Sequence, residues 1–166
     1  SLSAEFCPGF SFVCSVFEVP NDDGGLIGLH DGVPSDAFRE REEEFEINTV
    51  SYEEECGSAA RGILCCRSTD EEYLKRWGSD RFASKYKKWG LDTIWGWKED
   101  SGIKPCAVYL RHCVLAAQRT GAKGYDSFLD ETYLVDRKTT IREYLKENPH
   151  IMTLLPPASL AERYGG

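Results

Sequence analysis

The sequence predicts an α+β domain, with strands in its first half and helices in its last third. Three observations point there. Phe10 to Val19 reads as a strand with apolar residues on both faces, which suits a central position in a sheet. Phe45 to Tyr52 and Arg61 to Arg67 are β-branched, aromatic or apolar runs that flank a turn at Cys56-Gly57-Ser58. Beyond Pro105 the apolar residues recur at helical spacing.

Taken in order, Pro20 to Gly25 (PNDDGG) closes the first strand with strong turn chemistry. Gly28 to Pro34 reads as loop, and Ser35 or Asp36 can cap a short helical turn. The two middle runs then form a strand pair. Asp70 to Tyr73 can begin a helix, and Phe82, Tyr86 and Trp89 recur near helical spacing. Trp77, Trp89, Trp95 and Trp97 are expected to cover a loop-rich flank of the core, since large aromatics dominate packing area. Pro105 suits a first helical position, with Cys106, Tyr109, Leu110, Cys113, Val114 and Ala117 on one apolar face up to Gly121. Tyr125, Phe128, Leu129, Thr132 and Tyr133 repeat the pattern for a second helix. Thr140 and Glu143 form the signature of a capping box, and Asn148-Pro149 ends the helix it opens. Pro156-Pro157 breaks the trailing segment.

The 166 residues give room for one domain, and a chain of this length buries enough surface to fold without staples. The formal charge of −8 argues against nucleic acid, because binding to phosphate backbones needs clustered Lys and Arg. No apolar run approaches the roughly 20 residues of a membrane-crossing helix. The seven cysteines are odd in number and scattered, which makes a poor disulfide framework. There is no Cys-x-x-Cys and there are three histidines, so no metal site is expected. Free thiols are expected in a reducing compartment, either the cytosol or an organelle interior such as the plastid stroma.

The most unusual stretch is Arg39-Glu40-Arg41-Glu42-Glu43-Glu44-Phe45-Glu46. Most such runs are solvated helix faces laced by i,i+4 pairs. This one flows directly into an apolar strand. If Phe45 and Ile47 face the core, one of the preceding carboxylates must lie near the interior. Burial raises a carboxyl pKa towards the range of a general base. Which glutamate is buried stays open at this point. Other constellations are weaker. His112 and Cys113 are helix neighbours that point about 100° apart, which disfavours a nucleophile pair. His30 and His150 are isolated. Gly24-Gly25 and Gly165-Gly166 lack the strand–glycine–helix context of a phosphate loop.

The segment Phe38-Arg-Glu-Arg-Glu42-Glu-Glu-Phe45 resembles the Asp-x-Arg-Glu-x-x-Tyr segment of the gamma-glutamylcyclotransferase-like family, which also precedes a strand. Cys14 to Val19 is similar to that family's Gly-Val-Phe-x-Val strand, and Phe128-Leu-Asp-Glu-Thr132 to its Phe-Leu-x-Thr stretch. The resemblance spans about residues 10 to 136. It implies a small mixed β-barrel with C-terminal flanking helices over residues 1–136, followed by an extension at 137–166. It also implies Glu42 as catalytic general acid/base, with Arg41 and Phe45 beside the substrate and no metal or cofactor. The reaction implied is cyclisation of a γ-glutamyl group to 5-oxoproline with release of an amine. The family's Tyr-Gly-Ser substrate loop has no counterpart in this chain. Either it lies upstream, or the chain keeps the fold as a non-catalytic subunit of a larger assembly. In the second case the Trp77–Trp97 region and the C-terminal tail are the expected contacts with a protein partner.

Overall fold

The computed structural model describes residues 2–17, 29–30 and 33–164. The predicted turn at Pro20 to Gly25, the Glu18-Val19 end of the first predicted strand, and Gly165-Gly166 lie outside them. The architecture is mixed α+β, and its chain gathers into two compact units. One unit comprises Ser1–Cys7 and Val16–Gly96; the other comprises Pro8–Ser15 and Trp97–Gly166.

In the first unit, β1 (Leu29–His30) pairs antiparallel with β2 (Val33–Pro34) where the sequence suggested loop. Ser35 caps α1 (Asp36–Arg41), its hydroxyl accepting from the Phe38 amide at 3.2 Å. The helix lasts six residues and ends at Glu42. The chain then enters β3 (Glu46–Glu53), which pairs antiparallel with β4 (Ala59–Cys66) from Glu46↔Cys66 to Glu53↔Ala59. The Gly57 amide donates to the Glu54 carbonyl at 2.8 Å, and the Glu54 amide to Ser58 at 2.9 Å. Gly57 has φ +85°, a left-handed position that a side chain would strain and that this tight hairpin requires. Ala4 bridges the outer edge of β4, with Arg67 donating to its carbonyl at 2.7 Å.

Thr69 then caps α2 (Asp70–Lys85), which is broken at Gly78, where φ is +80° and ψ 164°. That conformation is open essentially to glycine alone. It ends one helical stretch and starts another, so residues before and after Gly78 leave on different axes. A 3-10 turn (Lys87–Trp89) follows. Asp70 ties the loop beyond it: its carboxylate accepts from the Ile94 and Trp95 amides at 2.9 and 2.8 Å, and from the Thr93 hydroxyl. Tyr73 and Phe82 are the large apolar side chains buried here, stacked edge-on with centroids 6.1 Å apart.

The second unit is helical. α3 (Ala107–Gln118), α4 (Gly121–Glu131) and α5 (Ile141–Glu147) surround a core of Leu110, Val114, Leu129, Leu134, Ile141 and Ile151. α3 starts two residues after Pro105, and Cys106 and Tyr109 are exposed, so its buried stripe narrows to Leu110, Val114 and Ala117. α4 stops at Glu131; Thr132 and Tyr133 instead open a β-like turn that closes through Tyr133↔Thr140. The capping box at α5 is present in full. Arg142 bridges α5 to α4 through Asp126 and Asp130, at 2.8 and 2.5 Å. A 3-10 turn (Pro149–Thr153) brings Ile151 into the core, and a short 3-10 turn (Ala158–Leu160) leads into α6 (Ala161–Tyr164).

One expectation is corrected. Phe10 to Phe17 is not a strand: it has no ladder partner among the described residues, and the Val13 amide donates instead to the Ser127 hydroxyl at 2.7 Å. Its apolar residues are exposed, Phe10 at 70% and Phe17 at 71%. The described strands form two separate two-stranded sheets. Alternation alone favoured a strand, but a strand also needs an edge to pair with.

Candidate functional site

The acidic run is not a solvated helix face. α1 spends its Arg39-Glu40-Arg41 half, and the rest is an anchored turn between helix and strand. Its backbone carbonyls are held by side chains from further along the chain. Trp77 Nε1 donates to the Glu43 carbonyl at 3.1 Å, Trp95 Nε1 to that of Glu44 at 2.8 Å, and an Arg76 guanidinium nitrogen to that of Phe45 at 2.7 Å. Phe45 itself packs edge-on against Trp95, centroids 5.7 Å apart. Two of the four tryptophans thus fix the run, while Trp89 lies 73% exposed.

The three consecutive glutamates have different fates. Glu43 is the buried one, at 1% exposure. Its carboxylate accepts from the Tyr73 hydroxyl at 2.8 Å and the Arg81 Nε at 2.7 Å, and pairs with Lys85 Nζ at 2.8 Å. Tyr73 comes from the stretch of α2 before Gly78, Arg81 and Lys85 from the stretch after it, so the break lets both converge on one carboxylate. Burial pushes the Glu43 carboxyl upward, but the donors Lys85, Tyr73 and Arg81 outweigh it and hold the group below its usual range. Tyr73 is correspondingly raised by burial and by Glu43. Glu43 is therefore an ionised anchor and unsuited to general-base work at neutral pH. Glu44 accepts a short hydrogen bond from the Tyr86 hydroxyl.

Glu42 differs from both. It caps the C-terminus of α1 with its side chain 24% exposed, and its carboxylate meets Arg41 Nε at 2.8 Å; Arg41 is itself 45% exposed. The charge of Glu42 reaches Cys65 on β4. Burial, then Glu42 and Cys66, push that thiol up to about 11, with Arg41 opposing them. A thiol so raised stays protonated near neutrality and is a poor nucleophile. Cys65 lies directly opposite Ile47 in the β3–β4 register, so the two project from the same face of the hairpin.

A cleft of about 220 Å³ opens beside Ile47, lined also by Arg39, Arg76 and Trp77. Of the residues expected at the site, Glu42 and Arg41 form an accessible ion pair, whereas Phe45 is occupied by the packing and carbonyl contacts that anchor the turn. Arg76, Tyr73, Arg81 and Lys85 were not foreseen. They lie at 73, 76, 81 and 85 along one predicted helix, and the charge of Arg76, Arg81 and Lys85, opposite to that of the acidic run, was the signal available to find them. All seven cysteines are free, and no cluster of metal ligands occurs among the described residues. No described helix is long and apolar enough to cross a membrane.

Comparisons with protein-family models, with curated proteins and with solved structures find no match for this chain.

Proposed function

We propose that the chain is a gamma-glutamylcyclotransferase-like enzyme in which Glu42 is the general acid/base. The observation that supports this reading is the sorting of the three glutamates. Glu43 is buried among three donors and Glu44 accepts from the Tyr86 hydroxyl, whereas Glu42 is partly exposed at the helix-to-strand junction and pairs with the exposed Arg41. The α-amine of a γ-glutamyl group attacks its own side-chain carbonyl, a new C–N bond closes the ring, and the old amide C–N bond breaks. The products are 5-oxoproline and a free amine. Both reacting groups lie in one molecule, so the enzyme needs chiefly to orient them and to move a proton. Glu42 takes that proton from the attacking amine and returns it to the leaving amine, and Arg41 holds the carboxylate in place. The small barrel of that family belongs to the same reading, with β3 and β4 as two of its strands.

The test is release of 5-oxoproline from γ-glutamyl amino acids, glutathione and γ-glutamyl amines, by the wild type and by Glu42→Gln. The variant should lose turnover by at least 100-fold, the lower end of what general acid–base catalysis contributes. Its melting temperature should match the wild type. A second reading, a non-catalytic subunit of a larger assembly, is favoured by one observation, the exposed apolar stretch from Phe6 to Phe17. No product from folded wild type, together with a stable complex eluting above the monomer mass, would support it.

A further inference from the structure

We infer that the cleft between α1, β3 and α2 binds the carboxylate of a small, amino-acid-sized ligand. This claim goes beyond the cyclisation proposed above and stands on the cleft alone. Two guanidinium groups, Arg39 and Arg76, line the same opening, and neither makes an ion pair among the described residues. The two cations converge on one opening in a chain with 28 acidic residues and a net charge of −8. Their donors are only partly used. Arg39 donates through Nε to the Pro34 carbonyl at 3.3 Å. Arg76 donates to the carbonyls of Glu72 and Phe45 and to the Ser68 hydroxyl, at 3.2, 2.7 and 3.3 Å. A guanidinium carries five N–H groups, so both retain donors.

Those backbone and hydroxyl contacts fix Arg76 against Phe45, Ser68 and its own helix, which makes it a preorganised anion receptor at little entropic cost. Planar forks of this kind match a carboxylate better than a point charge would. The remaining lining residues, Ile47 and Trp77, offer apolar area beside the charged end. Trp77 is held in place by its hydrogen bond to the Glu43 carbonyl and by the Arg81 guanidinium, 4.4 Å from its ring centroid. At about 220 Å³ the space is smaller than the roughly 300–1,000 Å³ of pockets for drug-sized molecules, which limits the occupant to a short chain.

The experiment uses the full chain labelled with nitrogen-15 and follows the four indole resonances, assigned by single Trp→Phe variants. Glutarate is titrated first, then its neutral diamide glutaramide, then inorganic phosphate. The expected result is a saturable shift of the Trp77 indole with glutarate and none with glutaramide. Arg39→Gln, an exposed residue whose side chain holds one backbone carbonyl, should weaken glutarate at least fivefold. Arg39→Lys keeps the charge without the fork, and should weaken it less than Arg39→Gln does. Glutaramide acting as strongly as glutarate, no saturable shift at Trp77, or less than a fivefold loss in Arg39→Gln would each overturn the inference. Phosphate binding as tightly as glutarate would overturn the assignment to a carboxylate.

Discussion

Three adjacent glutamates, chemically identical, end in different roles. Glu43 ionises because three donors surround it, and the cost of burying a charge is offset by Tyr73, Arg81 and Lys85. Removing it strands a buried tyrosine hydroxyl and separates two cations from their counterion. Glu43→Ala should therefore destabilise the chain by about 1–3 kcal/mol, read by urea unfolding. The pH dependence has a definite sign. Glu43's folded-state pKa lies below its ordinary value of 4.5, so its contribution is complete above that pH. It is lost as the pH falls from 4.5 through the folded value, because there the unfolded chain binds more protons. Wild-type stability should drop on acidification below 4.5, and Glu43→Gln should show a shallower slope over the same window.

At the scale of elements, the β3–β4 hairpin, a cap of α1 at Ser35 or Asp36 and the capping box of α5 were all legible in the sequence. Each is set by local chemistry: β-branched runs about a glycine turn, or a hydroxyl three residues before its partner. Thr140→Ala removes one such cap and should cost about 1 kcal/mol in the same unfolding assay. The sequence also located the acidic run and raised the burial of one of its carboxylates as a condition of Phe45 and Ile47 facing the core. It did not identify Glu43, because the donors that select it come from residues 73 to 85, across a helix break that periodicity treats as continuous. Gly78 makes that convergence possible. A Cβ at Gly78 meets no atom within 4 Å, so Gly78→Ala is sterically open but forces an alanine to φ +80°. The expected loss is about 1–2 kcal/mol from the backbone alone. A neutral effect on unfolding would contradict the role assigned to the break. The strand expected at Phe10 to Val19 failed for a different reason: alternation reports which faces are apolar, and pairing depends on an edge elsewhere in the chain.

Over the whole molecule, stabilisation differs between the two units. The helical unit has a conventional core of six aliphatic side chains, while the first unit buries two large aromatics around an ionised carboxylate. Acidification should accordingly affect the first unit's Glu43 cage before the aliphatic cluster around Leu129 and Ile141. Among the described residues, the N-terminal stretch carries the most exposed large apolar side chain, Phe6 at 90%. Brief chymotrypsin treatment should cut first between Phe6 and Phe17, as intact-mass measurement of the fragments would show; first cuts within α3 or α4 would contradict this. The central claim remains the chemistry of Glu42, and the most direct measurement is 5-oxoproline formed from a γ-glutamyl amino acid by wild type and Glu42→Gln at equal folded concentration. The account predicts product from the wild type and at least a 100-fold loss in the variant at an unchanged melting temperature. Equal rates in the two proteins would contradict it.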